Sequence, residues 1–262
     1  MPQAMLFFSQ QGEDLYTLKN FINKKNPSGI FVEVGALDGI TYSNTGFLEQ
    51  ELGFSGVLIE PSRYFDRLAY SRPGCVCVNK AISDKTETVT FRDDWAMSGI
   101  LDKLPEDHKS KARHTNGECY DVETVPLKQV LHDANVKYVD FMSIDVEGGE
   151  LDVLKSMDWS IPVYVICIEL DNHNLEKDNA CRYILLENGF VPHTRLTINE
   201  FWVNERYSRI PELFDPTTPY INWDALNHVT EAGDFIRLEP CVVDEVQRAI
   251  LGPTPAPTYH PN

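Results

Sequence analysis

Residues 29–39 read Gly29-Ile-Phe-Val-Glu-Val-Gly35-Ala-Leu-Asp-Gly39, and this stretch decides the fold. A short apolar run closed by a glycine is typical of a buried β-strand that enters a tight turn. Gly35 lets the backbone turn and a ligand approach closely, and the helix expected next offers free N–H groups. The dinucleotide pattern G-x-G-x-x-G is not met, because Leu37 stands where its second glycine would be. The stretch predicts either a ligand-binding turn poorly suited to a pyrophosphate or a glycine turn without a ligand.

Outward from this stretch, apolar strands alternate with helices along the chain. Further strands are predicted at 56–59, 75–78, 87–91, 138–144, 162–168 and 198–203, and helices at 45–52, 62–70, 126–134, 149–157 and 176–188. Near-continuous apolar strands separated by helices imply a mostly parallel sheet with helices on both faces. The fold class is therefore α/β.

We expect the chain to form a single domain over residues 1–250. Its parts would be an N-terminal helix at 9–28, a core at 29–205 and an irregular C-terminal extension at 206–250, followed by a flexible, proline-rich tail at 251–262. The polar segment 93–123 is interpreted as a long loop, which often serves as a lid or a substrate loop. The first residues and the tail are also compatible with a domain cut from a longer, multidomain protein.

Composition restricts the classes of partner. The chain of 262 residues has a net charge of −17, whereas phosphate binding needs a basic surface, so no nucleic acid partner is expected. The same charge disfavours an anionic membrane surface, and no apolar run approaches the ~20 residues that span a bilayer. None of the six cysteines forms a Cys-x-x-Cys pair, which indicates buried thiols in a reducing compartment. Because the start also has no basic n-region typical of a signal peptide, we expect a cytoplasmic protein without membrane insertion.

A carboxylate also ends the second predicted strand. Glu60 follows the strand at 56–59 and lies 21 residues after Gly39. A carboxylate at that place can accept both ribose hydroxyl protons of a nucleoside. The alternative is an ordinary solvated acid at a strand end, and the spacing to the first motif favours the nucleoside.

The densest set of acids follows the strands at 138–144 and 162–168. The first strand is followed by Asp145-Val-Glu-Gly-Gly-Glu150 and the second by Glu169-Leu-Asp-Asn-His173. Open α/β sheets bind ligands at the carboxyl ends of their strands, near the point where the strand order reverses. We therefore predict a catalytic site that contains Asp145, Glu169 and His173. A histidine beside acids can act as a general base, and the alternative for His173 is a structural role.

In this order, the motifs resemble the FkbM family of S-adenosylmethionine-dependent methyltransferases. The agreement covers roughly residues 9 to 170 and is far more specific than one motif. Nothing after about residue 195 has a counterpart. The matching stretches are Ser9-Gln-Gln-Gly-Glu-Asp14, Phe31-Val-Glu-Val-Gly-Ala-Leu-Asp-Gly-Ile40, Ser43-Asn-Thr45, Ile59-Glu-Pro61, Asn79-Lys-Ala-Ile-Ser83 and Ser143-Ile-Asp-Val-Glu-Gly-Gly-Glu150.

The resemblance implies a class I methyltransferase, Rossmann-like sheet with S-adenosylmethionine as the cofactor. It implies that Glu33, Gly35 and Asp38 surround the methionine end of the cofactor and that Glu60 holds the ribose. Many members carry Asp where this chain has Glu33, which changes the reach of the acid and not its charge. The other cofactor contacts expected from these motifs are Ala36, Asn44, Pro61, Ser62 and Asp145, with Ala81, Ile82 and Ser83 flanking the adenine.

The resemblance also implies methylation of a hydroxyl, often on a sugar, so we expect a carbohydrate acceptor such as a glycan with rhamnose or fucose. Acids and amides beside aromatic faces suit such an acceptor, under the hypothesis that Trp95, Tyr120 and Trp202 lie near the acids. A protonated hydroxyl is a poor nucleophile, so a base or a metal must help. Asp145 and His173 are the candidate bases. The alternative is a hard divalent cation held by Asp145, Glu169 and Asp171; no strict metal motif is present, so no metal is favoured.

Three other functions compete with sugar methylation. A nicotinamide-dependent dehydrogenase is disfavoured by the missing second glycine and by the absence of a Tyr-x-x-x-Lys pair. A non-catalytic module that binds S-adenosylmethionine is disfavoured by the retained acids at the sheet edge. A methyltransferase acting on a protein or another small metabolite stays open, whereas the acidic composition disfavours a lipid surface.

Overall fold

The computed structural model describes residues 6–22, 29–207, 227–229 and 235–237. The strands are β1 Leu6–Phe7, β2 Ile30–Val34, β3 Ser55–Ile59, β4 Val76–Val78, β5 Ala81–Ile82, β6 Thr88–Asp93, β7 Gly99–Ile100, β8 Glu118–Val125, β9 Val139–Ile144, β10 Val163–Glu169, β11 Phe190–Leu196, β12 Asn199–Asn204, β13 Asn227–Val229 and β14 Phe235–Arg237. The helices are α1 Glu13–Asn20, α2 Gly46–Leu52, α3 Phe65–Ser71, α4 Glu106–Ser110, α5 Leu127–Asp133, α6 Glu150–Lys155 and α7 Leu175–Glu187, with a 3-10 turn at Trp95–Met97.

A seven-stranded sheet in the order β11-β12-β10-β9-β2-β3-β4 forms the centre of the fold. The pairs β10–β9, β9–β2, β2–β3 and β3–β4 are parallel, and β12 runs antiparallel to both of its neighbours. The chain moves outward from β2 to β4 and then returns to β9 on the other side of β2. This reversal opens a crevice at the carboxyl ends of β2 and β9, where sheets of this kind bind ligands. The predicted α/β, Rossmann-like fold with a mostly parallel central sheet is confirmed.

Both faces of this sheet are covered because the strands are apolar on both sides. Val32 and Val34 of β2 belong to the core cluster under α5, α6 and α7, whereas Phe31 belongs to the cluster under α1 and α2. Successive side chains of a strand point to opposite faces, so one apolar run supplies both clusters. The strand ends, where the apolar runs stop, are therefore the part of the sheet left free for polar groups.

A second sheet of four strands, in the order β5-β8-β6-β7, lies between β4 and β9 in the sequence. The interpretation of 93–123 as a long loop is wrong, because the segment contains the 3-10 turn, β7, α4 and most of β8. β8 pairs antiparallel with β6, and the residues of β8 alternate between exposed and half-buried as far as Glu123. Its polar composition reflects an exposed ribbon and not a loop.

Two other expectations need correction. The N-terminal helix is shorter than 9–28: α1 begins after Gly12, whose φ of 90° is left-handed, and residues 23–28 lie outside the described part. The strand β11 was not predicted, since Pro192 argues against a central strand, and β11 is an edge strand with a register shift there. Most of the predicted extension at 206–250 and all of the tail at 251–262 lie outside the described residues. Among the helices that are described, none combines the length and apolarity that crossing a membrane requires.

Candidate active site

Three adjoining cavities lie at the carboxyl edge of the central sheet, and Asp145 lines all of them. The middle cleft and the inner cavity measure about 560 and 430 Å³, which is in the range of small-molecule sites. The middle cleft is lined by Gly35, Ala36, Asn44, Glu60 and Trp95, the inner cavity by Pro61, Ala81, Ile82, Phe91 and Ile100, and the outer cavity by Gln11, Glu13, His108, Glu169, Asp171 and His173, among others.

The floor of the middle cleft is the turn at Gly35. This residue has a φ of +89°, and a Cβ placed on it would lie 1.8 Å from the carbonyl oxygen of Asp145. The amides of Gly35 and Ala36 both donate to the carbonyl of Ile59, which pulls the turn against β3. Only glycine allows the ends of β2 and β9 to approach this closely, so the motif predicted from the sequence forms the base of the cleft.

Glu60 lies at the boundary between the middle cleft and the inner cavity. It is 5% exposed; its Oε2 accepts from the amide of Leu37 and its Oε1 from that of Ser62, each at 2.8 Å. Burial raises the pKa of Glu60, and the hydrogen bonds from Ser62 oppose that shift. Each carboxylate oxygen keeps a lone pair that can accept from a ligand. This arrangement fits a pair of ribose hydroxyls.

Glu33 lines the middle cleft. Its carboxylate, however, accepts hydrogen bonds from the loop that follows the turn at Gly35. Its Oε1 accepts from the amide of Asn44 at 2.7 Å, and its Oε2 accepts from the hydroxyls of Ser43 and Thr45 at 2.8 and 2.7 Å. Glu33 therefore positions Asn44, whose side-chain amide lines the cleft and donates to Ser143 at 3.0 Å.

Three of the predicted cofactor residues lie beside the cavities and outside their linings. The carboxylate of Asp38 accepts from the amides of Ile40 and Thr41 and shapes the turn before α2. Ser62 and Ser83 are buried, and the amide of Ser83 donates to the carbonyl of Val125. Their contact with a cofactor stays a prediction.

The inner cavity has the apolar character expected for an adenine site. Pro61, Ala81 and Ile82, which the sequence assigned to the adenine end, line it together with Phe91 and Ile100 of the second sheet. A planar aromatic base with little charge fits such walls. The second sheet thus contributes a wall that the sequence did not predict.

An acidic cluster forms where the middle cleft meets the outer cavity. Asp145, Glu147 and Glu169 each offer a carboxylate oxygen within 4.8 Å of the others. Burial and then the charge of Glu147 raise the pKa of Asp145 to about 7, and a hydrogen bond from Glu169 opposes that shift. Burial and the charge of Asp145 raise the pKa of Glu169 well above its ordinary value. Both shifts favour a protonated acid in the pair, and Glu169 and Asp145 are joined by a side-chain hydrogen bond.

The turn between Asp145 and α6 gives this cluster its shape. Glu147 has a φ of 54°, and Gly148 has a φ of 108°. Because Gly148 has no Cβ, the carbonyl of Lys103 can lie close to it. Oε1 of Glu150 accepts from the amides of Val146 and Gly148, and the other oxygen pairs with the largely buried ammonium of Lys177. Glu150 is a positioning residue, and its turn directs Glu147 towards the cluster.

Two histidines contact each other at the edge of the outer cavity. His173 follows β10 and pairs with Asp171, whereas His108 comes from α4, and the two ring centroids are 5.7 Å apart. Nδ1 of His108 lies 3.3 Å from Glu147, and this pairing raises the pKa of His108. The structure brings the predicted catalytic residues Asp145, Glu169 and His173 into one cavity.

Several site residues were missed because the segment 93–123 was interpreted as a loop. These are His108, Arg113 and His114, which line the outer cavity. Trp95, one of the three aromatic residues expected near the acids, lines the middle cleft together with Asp145. The hypothesis of three aromatic faces near the acids is wrong for Trp202, which is completely buried in the core.

Tyr120 also lies away from the cavities, bonded through its hydroxyl to Asp93. The ligand set proposed for a cation also changes. Asp171 is engaged by His173, and among the residues that the structure describes the set that could hold a divalent ion is Asp145, Glu147 and Glu169.

A family model described as the methyltransferase FkbM domain matches residues 33–200, which is more than half of the chain. The chain belongs to the FkbM methyltransferase family. The match confirms the family resemblance found in the motifs. No curated protein matches this FkbM chain.

Solved structures similar to this FkbM methyltransferase include three others. The FkbM methyltransferase from Methylobacillus flagellatus KT is 18% identical, with 68% of this chain and 44% of that chain covered and a TM-score of 0.44. A precorrin-6y C5,15-methyltransferase from Geobacter metallireducens GS-15 is 10% identical, with 74% and 85% covered and a TM-score of 0.39. The Methanococcus jannaschii fibrillarin pre-rRNA processing protein is 11% identical, with 72% and 73% covered and a TM-score of 0.36. The chain thus spans less than half the length of the first of these.

Proposed function

We propose that this FkbM methyltransferase transfers a methyl group to a sugar hydroxyl, with a deoxysugar such as rhamnose or fucose as the leading acceptor. The observation that carries the proposal is the position of Asp145, a carboxylate with a pKa of about 7 that lines both the middle cleft and the outer cavity. A group there can take a proton from an acceptor in the outer cavity beside a cofactor in the middle cleft.

In this proposal the cofactor spans the two smaller cavities. The inner cavity offers apolar walls to adenine, Glu60 offers two acceptor oxygens to the ribose, and the middle cleft beyond Gly35 and Asn44 takes the methionine end. When bound, S-adenosylmethionine supplies an electrophilic methyl group on a good leaving group. What the protein adds is placement of the acceptor and removal of its proton.

Asp145 is suited to act as the base because its environment keeps the pKa of its carboxyl group near neutral pH, where the group readily exchanges a proton. The hydrogen bond that Glu169 donates stabilises the anionic form of Asp145, while burial and Glu147 oppose that form. A base with a pKa near the working pH is the most effective. His173 is the second candidate; it is half-exposed, its Nδ1 is paired with Asp171, and it lines the outer cavity but not the two cavities proposed for the cofactor.

The outer cavity has the polar edges that suit a sugar. Asn199 donates to Glu13 at 2.8 Å, and both line the cavity. Gln11 also lines it, and the side-chain oxygen of Gln11 is buried without a hydrogen-bond partner. Acceptors and amides of this kind match the hydroxyls of a carbohydrate, whereas an apolar acceptor would leave them unpaired. A protein acceptor is the second possibility, and the experiment below distinguishes the two.

The direct test is to incubate the protein with labelled S-adenosylmethionine and a panel of glycans, and to locate the label by mass spectrometry. We expect label on a sugar hydroxyl, most strongly among glycans with rhamnose or fucose. The matched control is the Asp145→Asn variant, which should bind the cofactor and transfer little label. Label found only on proteins or lipids would contradict the sugar acceptor.

The Glu60 assignment predicts a loss of cofactor affinity. Removing a charge-assisted contact to the ribose with Glu60→Ala should cost about 2 kcal/mol of binding free energy, or roughly a thirtyfold increase in Kd. Isothermal titration with S-adenosylmethionine and its demethylated product measures this. Glu60→Gln, which keeps the shape, should lie between the parent and Glu60→Ala. Binding by Glu60→Ala as tight as that of the parent would show that the ribose lies elsewhere.

We propose that turnover does not require a metal. The side-chain hydrogen bond between Asp145 and Glu169, and the raised pKa values of both acids, lessen the repulsion that a cation would otherwise relieve. Activity should therefore be retained in EDTA, measured against the same protein supplied with magnesium in excess of the chelator. Loss of turnover in EDTA that magnesium or manganese restores would instead make Asp145, Glu147 and Glu169 ligands of a cation.

A further inference from the structure

Trp95 occupies an unusual position over the middle cleft. It begins the 3-10 turn after β6 and lines the cleft together with Gly35, Glu60 and Asp145, without appearing among the residues that line the other two cavities. Its φ of 62° is left-handed, which is costly for a bulky side chain. Backbone strain of this kind persists only where the surroundings impose it, and it concentrates at ligand clamps and active sites.

The surroundings of Trp95 do impose this conformation. The hydroxyl of Ser98 donates to the carbonyl of Trp95 at 2.6 Å and accepts from the amide of Asp94 at 2.8 Å. The ring of Tyr64 packs perpendicular to the indole, with centroids 4.8 Å apart. Tyr64 belongs to the loop that follows Glu60, so the second sheet and the ribose-side loop fix the indole from two directions.

The base of this turn is tied to the same loop. Asp93 accepts from the guanidinium of Arg63 at 2.7 Å and from the hydroxyl of Tyr120 at 2.9 Å. Asp93 is buried, and Arg63 directly precedes Tyr64 in the loop. The residues on either side of Trp95 are thus anchored, and its indole is packed against Tyr64 at the cleft that Trp95 lines.

The charge of the middle cleft favours a cation beneath the indole. No lysine, arginine or histidine is among the described residues that line it, whereas Glu33, Glu60, Asp145 and Glu147 are. The oxygens of Glu33 are engaged by Ser43, Asn44 and Thr45. An aromatic face attracts a cation through its quadrupole, most strongly when the face is tryptophan and the site is shielded from water.

We propose that the indole of Trp95 packs on the sulfonium of bound S-adenosylmethionine and makes the cleft prefer this charged donor over its neutral, demethylated product. The inference rests on the cofactor placement proposed above, in which the sulfonium lies between the ribose at Glu60 and the acceptor side at Asp145. Loss of the positive charge on methyl transfer then removes this attraction and favours release of the product.

Three ligands separate attraction to charge from simple packing. S-adenosylmethionine carries a sulfonium. Sinefungin has a carbon in place of the sulfur, and this carbon bears an ammonium group. S-adenosylhomocysteine has an uncharged sulfur at the same place. For Trp95→Leu, isothermal titration of the full chain should show about tenfold weaker binding of the two cations. Binding of S-adenosylhomocysteine should change by less than about threefold. Trp95→Phe should recover part of the loss because it restores an aromatic face.

The matched control is Trp159→Phe, at a half-buried tryptophan that packs on Phe190 and lines none of the three cavities. It should leave all three affinities unchanged, and thermal melts should show that each variant is folded. Equal weakening of the three ligands by Trp95→Leu would overturn the proposal, because the ring would then only fill space. So would unchanged binding. If the parent bound none of the three ligands, the cofactor placement itself would fail, and the role of Trp95 with it.

Discussion

Asp145→Asn should lower kcat by about 10²-fold or more while the Kd for S-adenosylmethionine changes little. Asparagine keeps the shape of the side chain and its place at the junction of the cavities, but it cannot take a proton from the acceptor. The pKa of Asp145, about 7, adds a second expectation. The group is a base only when ionised, so kcat/KM of the parent should rise with pH through about 7. Steady-state kinetics on the glycan identified by labelling, measured across pH, test both expectations.

Stability separates this catalytic role from a structural one. Burial raises the pKa of Asp145 in the folded chain from the ordinary value of 3.8 to about 7, so ionisation opposes folding. The group therefore makes the free energy of unfolding fall as pH rises from about 4 through about 7, and its contribution is constant above that range. Asparagine removes that penalty. The melting temperature of Asp145→Asn at pH 8 should therefore equal or exceed that of the parent. A variant that loses both activity and stability would indicate a structural role.

Glu169 provides the matched pair of variants for the pH profile. Because its hydrogen bond lowers the pKa of Asp145, Glu169→Leu should move the rise in kcat/KM to higher pH. Glu169→Gln retains an N–H donor and should keep the profile close to that of the parent. His173→Ala tests the second candidate base. A 10²-fold loss in that variant, together with near-parental kcat in Asp145→Asn, would transfer the role of base to His173.

The central sheet was predictable because its strands are apolar on both faces. Runs such as that of β10 leave no polar alternation to confuse them with a loop, and the acids that follow β9 and β10 must meet at one edge once these strands pair in parallel. The site residues Asp145, Glu169 and His173 could be found for this reason. The hydrogen bond between Asp145 and Glu169 could not be predicted, because it depends on distances of a few ångströms that the sequence does not contain.

The second sheet and its contacts could not be predicted, because its strands are not apolar on both faces. β8 pairs with β6 in a ribbon whose residues are exposed or half-buried as far as Glu123, so the sequence of β8 looks polar. The contacts of His108 with Glu147 and of Trp95 with Tyr64 join elements that are far apart in the chain. No local sequence pattern identifies such residues. The one indication that the polar segment contributes to the site is the buried strand that precedes it.

Gly35→Ala should destabilise the fold by about 4 kcal/mol, the size expected when a backbone clash adds to left-handed strain. The added Cβ would lie 1.8 Å from the carbonyl oxygen of Asp145, so one of two paired strands must move. The clash is with backbone and not with the end of a flexible side chain, which excludes a cheap adjustment. Because the displaced group belongs to Asp145, cofactor binding and turnover should be lost in any fraction that remains folded. Thermal unfolding should show a fall in Tm of roughly 10 °C.

Gly53→Ala is the matched control, because it shares the strain without the clash. Gly53 ends α2 with a φ of +69°, and a Cβ there meets nothing within 4 Å. The left-handed conformation alone should cost about 1 kcal/mol, with cofactor affinity unchanged. The difference between the two variants isolates the close approach of β2 to the carbonyl of Asp145. If Gly35→Ala were as mild as Gly53→Ala and still bound S-adenosylmethionine, the turn would have room that this structure does not show, and the floor of the cleft would lie elsewhere.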